Sequence, residues 1–150
     1  MNHSNAPRQP ALPTLATITI RNLRLRTFIG FNPEETEKQQ DVVINIEIEY
    51  ALSGDVFEDR VEGALNYKVV TKRVIEHVET GRFLLLEKLV ADVLNICSAH
   101  PAVHRARVAI DKPHALRFAD SVSLALQYIS EQAGQPVFQP DQLRLMEKAS

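Results

Sequence analysis

Residues 42–52 alternate between apolar and polar side chains, and this alternation constrains the fold more than any other feature of the chain. The apolar positions are Val42, Ile44, Ile46, Ile48 and Tyr50. The polar positions between them include Asn45, Glu47 and Glu49. Successive side chains of a β-strand point to opposite faces of a sheet, so the pattern predicts a strand with one buried and one solvated face. Such strands are typical of antiparallel sheets that are covered on one side.

Three further segments have the same period of two residues. Residues 16–27 alternate with a phase slip near Asn22, and the slip predicts a β-bulge. Residues 103–111 and 121–129 alternate in the second half of the chain. We therefore predict four strands, two before and two after the middle of the chain.

Two segments between these strand pairs have helical spacing. In residues 67–79, Val70, Val74 and either His77 or Val78 recur at helical spacing, which predicts an amphipathic helix. Residues 82–100 predict a second, longer helix that Pro101 ends. The polar residues 30–40 and the turn-rich residues 53–63 are predicted to be loops.

The order strand, strand, helix, helix, strand, strand predicts an α+β fold, with two helices on one face of an antiparallel four-stranded sheet. The opposite face would carry the charged positions Arg24, Arg26, Glu47, Glu49, Arg105 and Arg107. A charged face does not favour face-to-face stacking of sheets, whereas long strands with free edges invite pairing between subunits. Residues 1–15 are predicted to be a mobile tail, residues 16–130 the folded domain and residues 131–150 a C-terminal appendage.

The composition excludes several classes of partner. The chain has 150 residues, 45% of them hydrophobic, which suits one domain with a sizeable core. A net charge of −2 gives no general attraction to nucleic acid or to an anionic membrane, and no apolar run has the length of a membrane span. The single cysteine, Cys97, is predicted to be buried and suits a reducing compartment. Residues 1–13 lack a hydrophobic signal segment, so we expect a cytoplasmic protein.

One carboxylate, Glu87, interrupts the otherwise largely apolar residues 83–90. Removing a carboxylate from water is costly unless another group pairs with it. A ligand with two adjacent N–H donors would pair well, because a carboxylate accepts two parallel hydrogen bonds. The alternative is that Glu87 points to solvent or makes an ion pair on its helix. His77 and His104 have no metal-ligand spacing with other residues, and we predict that both are structural.

Four short motifs, taken in order, resemble the dihydroneopterin aldolase family over residues 16–129. They are Phe28-Ile29-Gly30 followed by Glu35, Leu65-Asn66-Tyr67, the run Phe83-Leu84-Leu85-Leu86-Glu87-Lys88-Leu89, and Asp111-Lys112-Pro113. Residues 22–30 and 114–123 favour the epimerase branch of that family. In typical aldolases a small residue follows the Lys-Pro pair, whereas this chain has His114.

The resemblance implies the tunnelling fold (T-fold), in which subunits pair their sheets edge to edge. Four subunits would form a ring, two rings would stack into an octamer, and the active sites would lie between adjacent subunits. The predicted order of strands and helices agrees with this fold. The implied partners are a pterin substrate and further copies of the chain.

The resemblance also implies roles for individual residues. Glu87 would anchor the pterin, with the backbone around Leu86 completing the ring contacts. Lys112 would be the catalytic base, although an exposed lysine with a pKa of about 10.4 needs partial burial to act at neutral pH. Tyr67 would relay a proton, and Glu35 would border the hydroxylated side chain of the substrate. The alternatives are a solvated lysine at a strand end, a helix-capping or core tyrosine, and an ordinary acidic loop around Glu35.

The implied reaction is a retro-aldol cleavage followed by re-addition, which inverts C2′ of 7,8-dihydroneopterin triphosphate and gives the dihydromonapterin form, a step towards tetrahydromonapterin. The pterin ring accepts the electrons, so no metal or other cofactor is implied. The first candidates to bind the triphosphate are His114 and Arg117, and the second are Arg82 and Lys72. The first alternative is the aldolase itself, a lyase of folate synthesis. The second is a non-catalytic pterin-binding or scaffold protein, against which the four matched residues argue.

Overall fold

Strands β1 (Leu15–Ile29) and β2 (Gln40–Ala51) pair antiparallel over almost their whole length in this computed structural model, which describes residues 15–131. Strand β4 (Val103–Lys112) pairs antiparallel with β2, and β5 (Val122–Ile129) pairs antiparallel with β4. A two-residue strand, β3 (Arg82–Phe83), pairs parallel with the end of β1. The sheet order is therefore β3-β1-β2-β4-β5.

Three α-helices connect these strands in the described part of the chain. They are α1 (Pro33–Glu37), α2 (Tyr67–Glu79) and α3 (Leu86–Cys97). Two 3₁₀ turns, Gly54–Glu58 and Val61–Gly63, lie between β2 and α2. Helix α2 begins at Tyr67 because the side chain of Asn66 accepts hydrogen bonds from the backbone N–H groups of Lys68 and Val69.

The core lies between the inner face of the sheet and helices α2 and α3. The predicted alternation in β2 is confirmed, since its inward residues Val42, Ile44, Ile46 and Ile48 have no solvent exposure. Val74 and Val78 cover them from α2, and Leu89, Val90, Val93, Leu94 and Cys97 cover them from α3. Burying each such aliphatic side chain contributes roughly 1.5–3 kcal/mol, so this layer sets the register of β2.

The predicted bulge in β1 is confirmed at Asn22. The pairing of β1 with β2 shifts register between Ile20 and Leu23, and Asn22 has a positive φ of 54°. Its backbone N–H donates to the side chain of Asn45 at 2.9 Å. Asparagine tolerates left-handed backbone better than most residues, so it suits this position.

The prediction of a four-stranded sheet with two helices is wrong in detail, because the described residues form five strands and three helices. Helix α3 begins at Leu86 and ends at Cys97, so residues 82–85 are not helical. Phe83 is instead buried in the core and pairs with Ile29 as part of β3. The predicted loop at 30–40 contains α1, which Pro33 favours at its first turn.

The outer face of the sheet is charged, as predicted, and the side chains of Arg24, Arg26, Glu47, Arg105 and Arg107 are exposed there.

Within residues 15–131, no helix combines the length and the apolar character needed to cross a bilayer. The predicted tail at 1–15 and the appendage at 131–150 lie outside the described residues, except for Leu15 and Glu131.

Candidate functional site

Glu35 and Lys112 form an ion pair between α1 and the last residue of β4. The Nζ atom of Lys112 lies 2.7 Å from Oε2 of Glu35, and the two side chains are 13% and 19% exposed. The ammonium group of Lys112 lowers the pKa of the Glu35 carboxyl, although partial burial acts in the opposite direction. At this end of the sheet, Lys112 is thus a charged hydrogen-bond donor and Glu35 a charged acceptor, and both are partly removed from solvent.

Gln40 holds the carboxylate of Glu35 in this position. Its Nε2 atom donates to Oε2 of Glu35 at 3.2 Å and also to the backbone carbonyl of Ile29. The backbone N–H of Asn32 donates to the other carboxylate oxygen at 3.4 Å. Gln40 was not predicted as a site residue. It lies at the end of the predicted polar loop of residues 30–40, five positions after Glu35, where its neighbours are also polar.

Gly30 leaves the space that the carboxylate of Glu35 occupies. Its φ is +123°, and a Cβ atom at this position would lie 2.2 Å from the carboxyl carbon of Glu35. Its backbone N–H donates to the carbonyl of Phe83 at 2.9 Å. The end of β1 therefore links the Glu35–Lys112 ion pair to Phe83 in β3. Phe83 lies three residues before Leu86, where α3 begins.

Glu87 is the second residue of α3, and its side chain is exposed. The helical period turns Leu89 and Val90 into the core and leaves Glu87 outside, so in a single chain Glu87 points to solvent, which is the alternative given by the sequence. Glu87 makes no hydrogen bond or ion pair to other described residues. Leu86, the first residue of the helix, is half-buried. The first N–H groups of a helix lack intrahelical acceptors, so this turn offers backbone donors beside a carboxylate.

An open groove of about 640 Å³ flanks this helix start. Its walls are His77, Thr80, Gly81, Arg82, Phe83, Leu84, Leu85, Lys88 and Asp92. Asp92 accepts from Lys88 at 2.9 Å and contacts Nε2 of His77 at 2.7 Å, which ties α2 to α3.

In residues 15–131, no three His, Cys, Asp or Glu side chains are grouped to hold a metal ion.

Tyr67 lies at the opposite end of the sheet from Lys112. It is 52% exposed and lines a groove with Ile18, Ile20 and Tyr50. Tyr50 pairs with Val103, at the far end of β4 from Lys112. The ten residues of β4 span roughly 30 Å at the usual rise per residue, so Tyr67 and Lys112 of one chain do not share a site.

The four cations considered for the triphosphate have different surroundings. His114 and Arg117 are exposed in the connection between β4 and β5, and the guanidinium of Arg117 lies 5.3 Å from the ring of Phe118. Lys72 is exposed on α2. Arg82 differs from these three, because its guanidinium lies 3.8 Å from the centre of the Phe28 ring and donates to the carbonyl of Thr36 at 3.1 Å.

Comparison with known proteins gives one consistent family. The family model FolB, dihydroneopterin aldolase, matches residues 18–127. The chain is 52% identical to the dihydroneopterin triphosphate 2′-epimerase of Escherichia coli K12 over 120 residues, 80% of this chain and 97% of the relative. It is 49% identical to the epimerase of that name from Pseudomonas aeruginosa over 76% of this chain and 93% of the relative. The crystal structure of E. coli dihydroneopterin aldolase in complex with neopterin is 27% identical, with a TM-score of 0.69 over 75% of this chain and 97% of that chain.

Proposed function

The chain belongs to the FolB dihydroneopterin aldolase family, and from this membership we propose that it is an isomerase that inverts C2′ of 7,8-dihydroneopterin triphosphate. The observation that carries the proposal is the identity of 49–52% to epimerases of that name, against 27% to an aldolase of the same fold. The product would be 7,8-dihydromonapterin triphosphate.

The start of α3 fits the edge of a pterin ring. A pterin presents an amino group beside a ring N–H, and the carboxylate of Glu87 can accept from both. The ring carbonyl next to that N–H needs a donor, and the unpaired backbone N–H groups at Leu86 and Glu87 can supply one. The exposure of Glu87 in the single chain suits this role, because the carboxylate stays open to a ligand.

Lys112 and Glu35 are the groups that we assign to proton transfer. A base takes the proton of the 2′-hydroxyl, the bond between C1′ and C2′ breaks, and its electron pair moves into the dihydropterin ring. C2′ becomes the aldehyde carbon of a separate fragment that carries the triphosphate. The contact of 2.7 Å between Nζ of Lys112 and Glu35 lets the ammonium pass one proton to the carboxylate, which leaves the neutral amine of Lys112 as the base that takes the hydroxyl proton. Tyr67 would relay a proton to or from the substrate side chain.

The fate of the aldehyde fragment separates the two reactions of this family. If the fragment rotates and presents its other face, C1′ adds back to C2′, the proton returns to the oxygen, and C2′ is inverted. If the fragment leaves and C1′ takes a proton, the products are 6-hydroxymethyl-7,8-dihydropterin and an aldehyde, the aldolase outcome. An enzyme that binds the triphosphate holds the fragment longer and so favours re-addition. His114 and Arg117, close to Lys112 in sequence, remain candidates for that binding.

The proposed site needs two copies of the chain. Tyr67 and Lys112 lie at opposite ends of the sheet, so a site that uses both must take them from different subunits. In the described residues, β5 has no strand partner on its outer edge, and β1 has one only at Phe28 and Ile29. Pairing these edges between subunits would form the ring of four expected for the family, and two rings would form an octamer.

The direct test is incubation of the protein with 7,8-dihydroneopterin triphosphate and, separately, with unphosphorylated 7,8-dihydroneopterin. Chromatography that resolves the C2′ epimers, together with an assay for the released aldehyde, measures both outcomes. We expect the epimer of the triphosphate as the main product. Rapid release of 6-hydroxymethyl-7,8-dihydropterin with little epimer would identify an aldolase, and turnover of neither substrate would leave only a binding protein.

A further inference from the structure

The guanidinium of Arg82 lies over the ring of Phe28. Arg82 is the first residue of β3, and the parallel pairing of β3 with β1 places it opposite Phe28. Its Cζ atom lies 3.8 Å from the ring centre, a close cation–π contact. One nitrogen, Nη1, also donates to the carbonyl of Thr36 at 3.1 Å. Two contacts from different elements therefore hold the guanidinium in place before any ligand binds.

This placement puts Arg82 beside the proposed reaction centre. Thr36 follows Glu35 in α1, so the guanidinium contacts the same short helix that supplies the carboxylate of the ion pair. In the substrate, the triphosphate is attached one carbon beyond C2′, where the bond breaks. A cation that binds the triphosphate must therefore lie near Glu35 and Lys112 without belonging to their ion pair. Arg82 meets this condition.

The donors of Arg82 are mostly unused in the described chain. Arginine carries five N–H donors in a rigid fork that matches phosphate oxygens. The bond to Thr36 uses one, and Arg82 has no carboxylate of residues 15–131 within ion-pair distance. His114 and Arg117 are also exposed, but no hydrogen bond to a described residue orients their side chains. Ordering a flexible side chain on binding costs affinity, so a cation held in advance binds an anion more effectively.

We propose that Arg82, fixed by Phe28 and Thr36, is the specificity-determining cation that binds the triphosphate of the substrate. The inference rests on the proposed function and names the residue by which that site distinguishes phosphorylated from unphosphorylated substrate. Phe28 acts as a positioning residue for Arg82 and does not itself touch the phosphates.

The test compares kcat/KM for the triphosphate and for unphosphorylated dihydroneopterin in four variants. Arg82→Ala should lower the value for the triphosphate about ten- to a hundred-fold, because charge-assisted hydrogen bonds to phosphate are lost. Arg82→Lys and Phe28→Leu should lower kcat/KM for the triphosphate by less. The first variant keeps the positive charge, and the second keeps Arg82 but removes the aromatic ring that its guanidinium contacts. The matched control is Arg24→Ala, an exposed arginine on β1 that lies four residues, roughly 13 Å, before Phe28. Arg24→Ala should leave the values for both substrates near those of the wild type, whereas the Arg82 and Phe28 variants should lower the value for the triphosphate more than the value for the unphosphorylated substrate.

A binding measurement separates this inference from the proposed function. Inorganic tripolyphosphate should inhibit turnover of the unphosphorylated substrate by the wild-type protein, and Arg82→Ala should weaken that inhibition at least ten-fold. Equal losses on both substrates would overturn the inference, because Arg82 would then only support α1 and Glu35. Unchanged kinetics in Arg82→Ala, with a selective loss in the double variant His114→Gly, Arg117→Ala, would assign the phosphates to the loop after β4. Failure of the wild type to act on the triphosphate would overturn the proposed function, and the tripolyphosphate result would still decide the role of Arg82.

Discussion

The ammonium of Lys112 lies 2.7 Å from the carboxylate of Glu35, across 77 residues of sequence. Both groups are mostly shielded from solvent, and Gln40 and Gly30 fix the carboxylate from two further sides. Gly30 after β1, Glu35 in α1, Gln40 in β2 and Lys112 in β4 thus define one arrangement, in which a proton donor and an acceptor are already in contact. The first three predictions test this arrangement.

Replacing Lys112 by alanine should abolish epimerisation and any aldolase activity together. Both reactions begin with removal of the same hydroxyl proton, which we assign to the amine of Lys112 once Glu35 has taken its proton, and loss of a general base lowers the rate by about 10²–10⁴-fold. Product analysis with both substrates measures the two activities, and gel filtration checks that the assembly persists. Loss of one activity alone would show that the two reactions use different bases.

Glu35→Gln should remove a contribution to stability that depends on pH. The pKa of Glu35 is lowered in the folded chain, so the folded state favours the ionised form more than the unfolded chain does. The contribution is therefore complete above the ordinary value of 4.5 and is lost as the pH falls through the folded-state pKa. Urea unfolding at several pH values should give a constant difference from wild type at neutral pH and a shrinking difference in acid. Glu34→Gln, which changes an exposed neighbour, should show no such profile.

Gly30→Ala should disrupt the site and cost roughly 1–3 kcal/mol of unfolding free energy, because φ of +123° is strained for alanine and the new methyl group would overlap Glu35. Thermal unfolding and turnover measure the two effects. Gly54→Ala is the matched control, since no atom lies within 4 Å of a Cβ built there and its φ is not in the strained range. Equal stability of the two variants would mean that Glu35 moves aside at little cost.

The strands that carry a clean alternation were predictable from the sequence, because one buried face fixes their register. The core of β2, from Val42 to Ile48, and the bulge at Asn22 follow directly from the pattern of residues. Strand β3 was not predictable in this way. It has only two residues, and Phe83 belongs to an apolar run that continues into a helix. Only the pairing of Phe83 with Ile29 shows that Phe83 is part of a strand and not of the helix.

The site was predictable only in part. The motifs indicated Glu35, Lys112 and Glu87, yet no periodicity reveals that residues 77 positions apart form an ion pair. Gln40 and the stacking of Arg82 on Phe28 depend on how three segments meet in space, and sequence spacing does not encode that. The exposure of Glu87 was one of two alternatives that the sequence left open, because a helix can carry an outward residue within an apolar run.

Glu87→Gln should weaken pterin binding about 10- to 100-fold, because one acceptor becomes a donor that faces a donor of the ligand. Fluorescence titration with neopterin measures the dissociation constant, and circular dichroism checks the fold. Glu79→Gln, an exposed change at the end of α2, is the control and should bind normally. Unchanged affinity in Glu87→Gln would exclude this carboxylate from the pterin site.

Two inactive variants should restore activity when they assemble together, because Tyr67 and Lys112 lie at opposite ends of one sheet. In a mixed ring of Tyr67→Phe and Lys112→Ala subunits, some sites would take an intact tyrosine from one copy and an intact lysine from its neighbour. Random assembly from equal amounts should give about a quarter of the wild-type sites. Co-expression of the two variants with different affinity tags allows purification of mixed assemblies, whose turnover is then compared with that of each variant alone. Simple mixing of the finished proteins is the control, and it should recover activity only as fast as subunits exchange. If mixed assemblies stay as inactive as the parents, although each parent still binds neopterin, Tyr67 and Lys112 do not work across one subunit boundary.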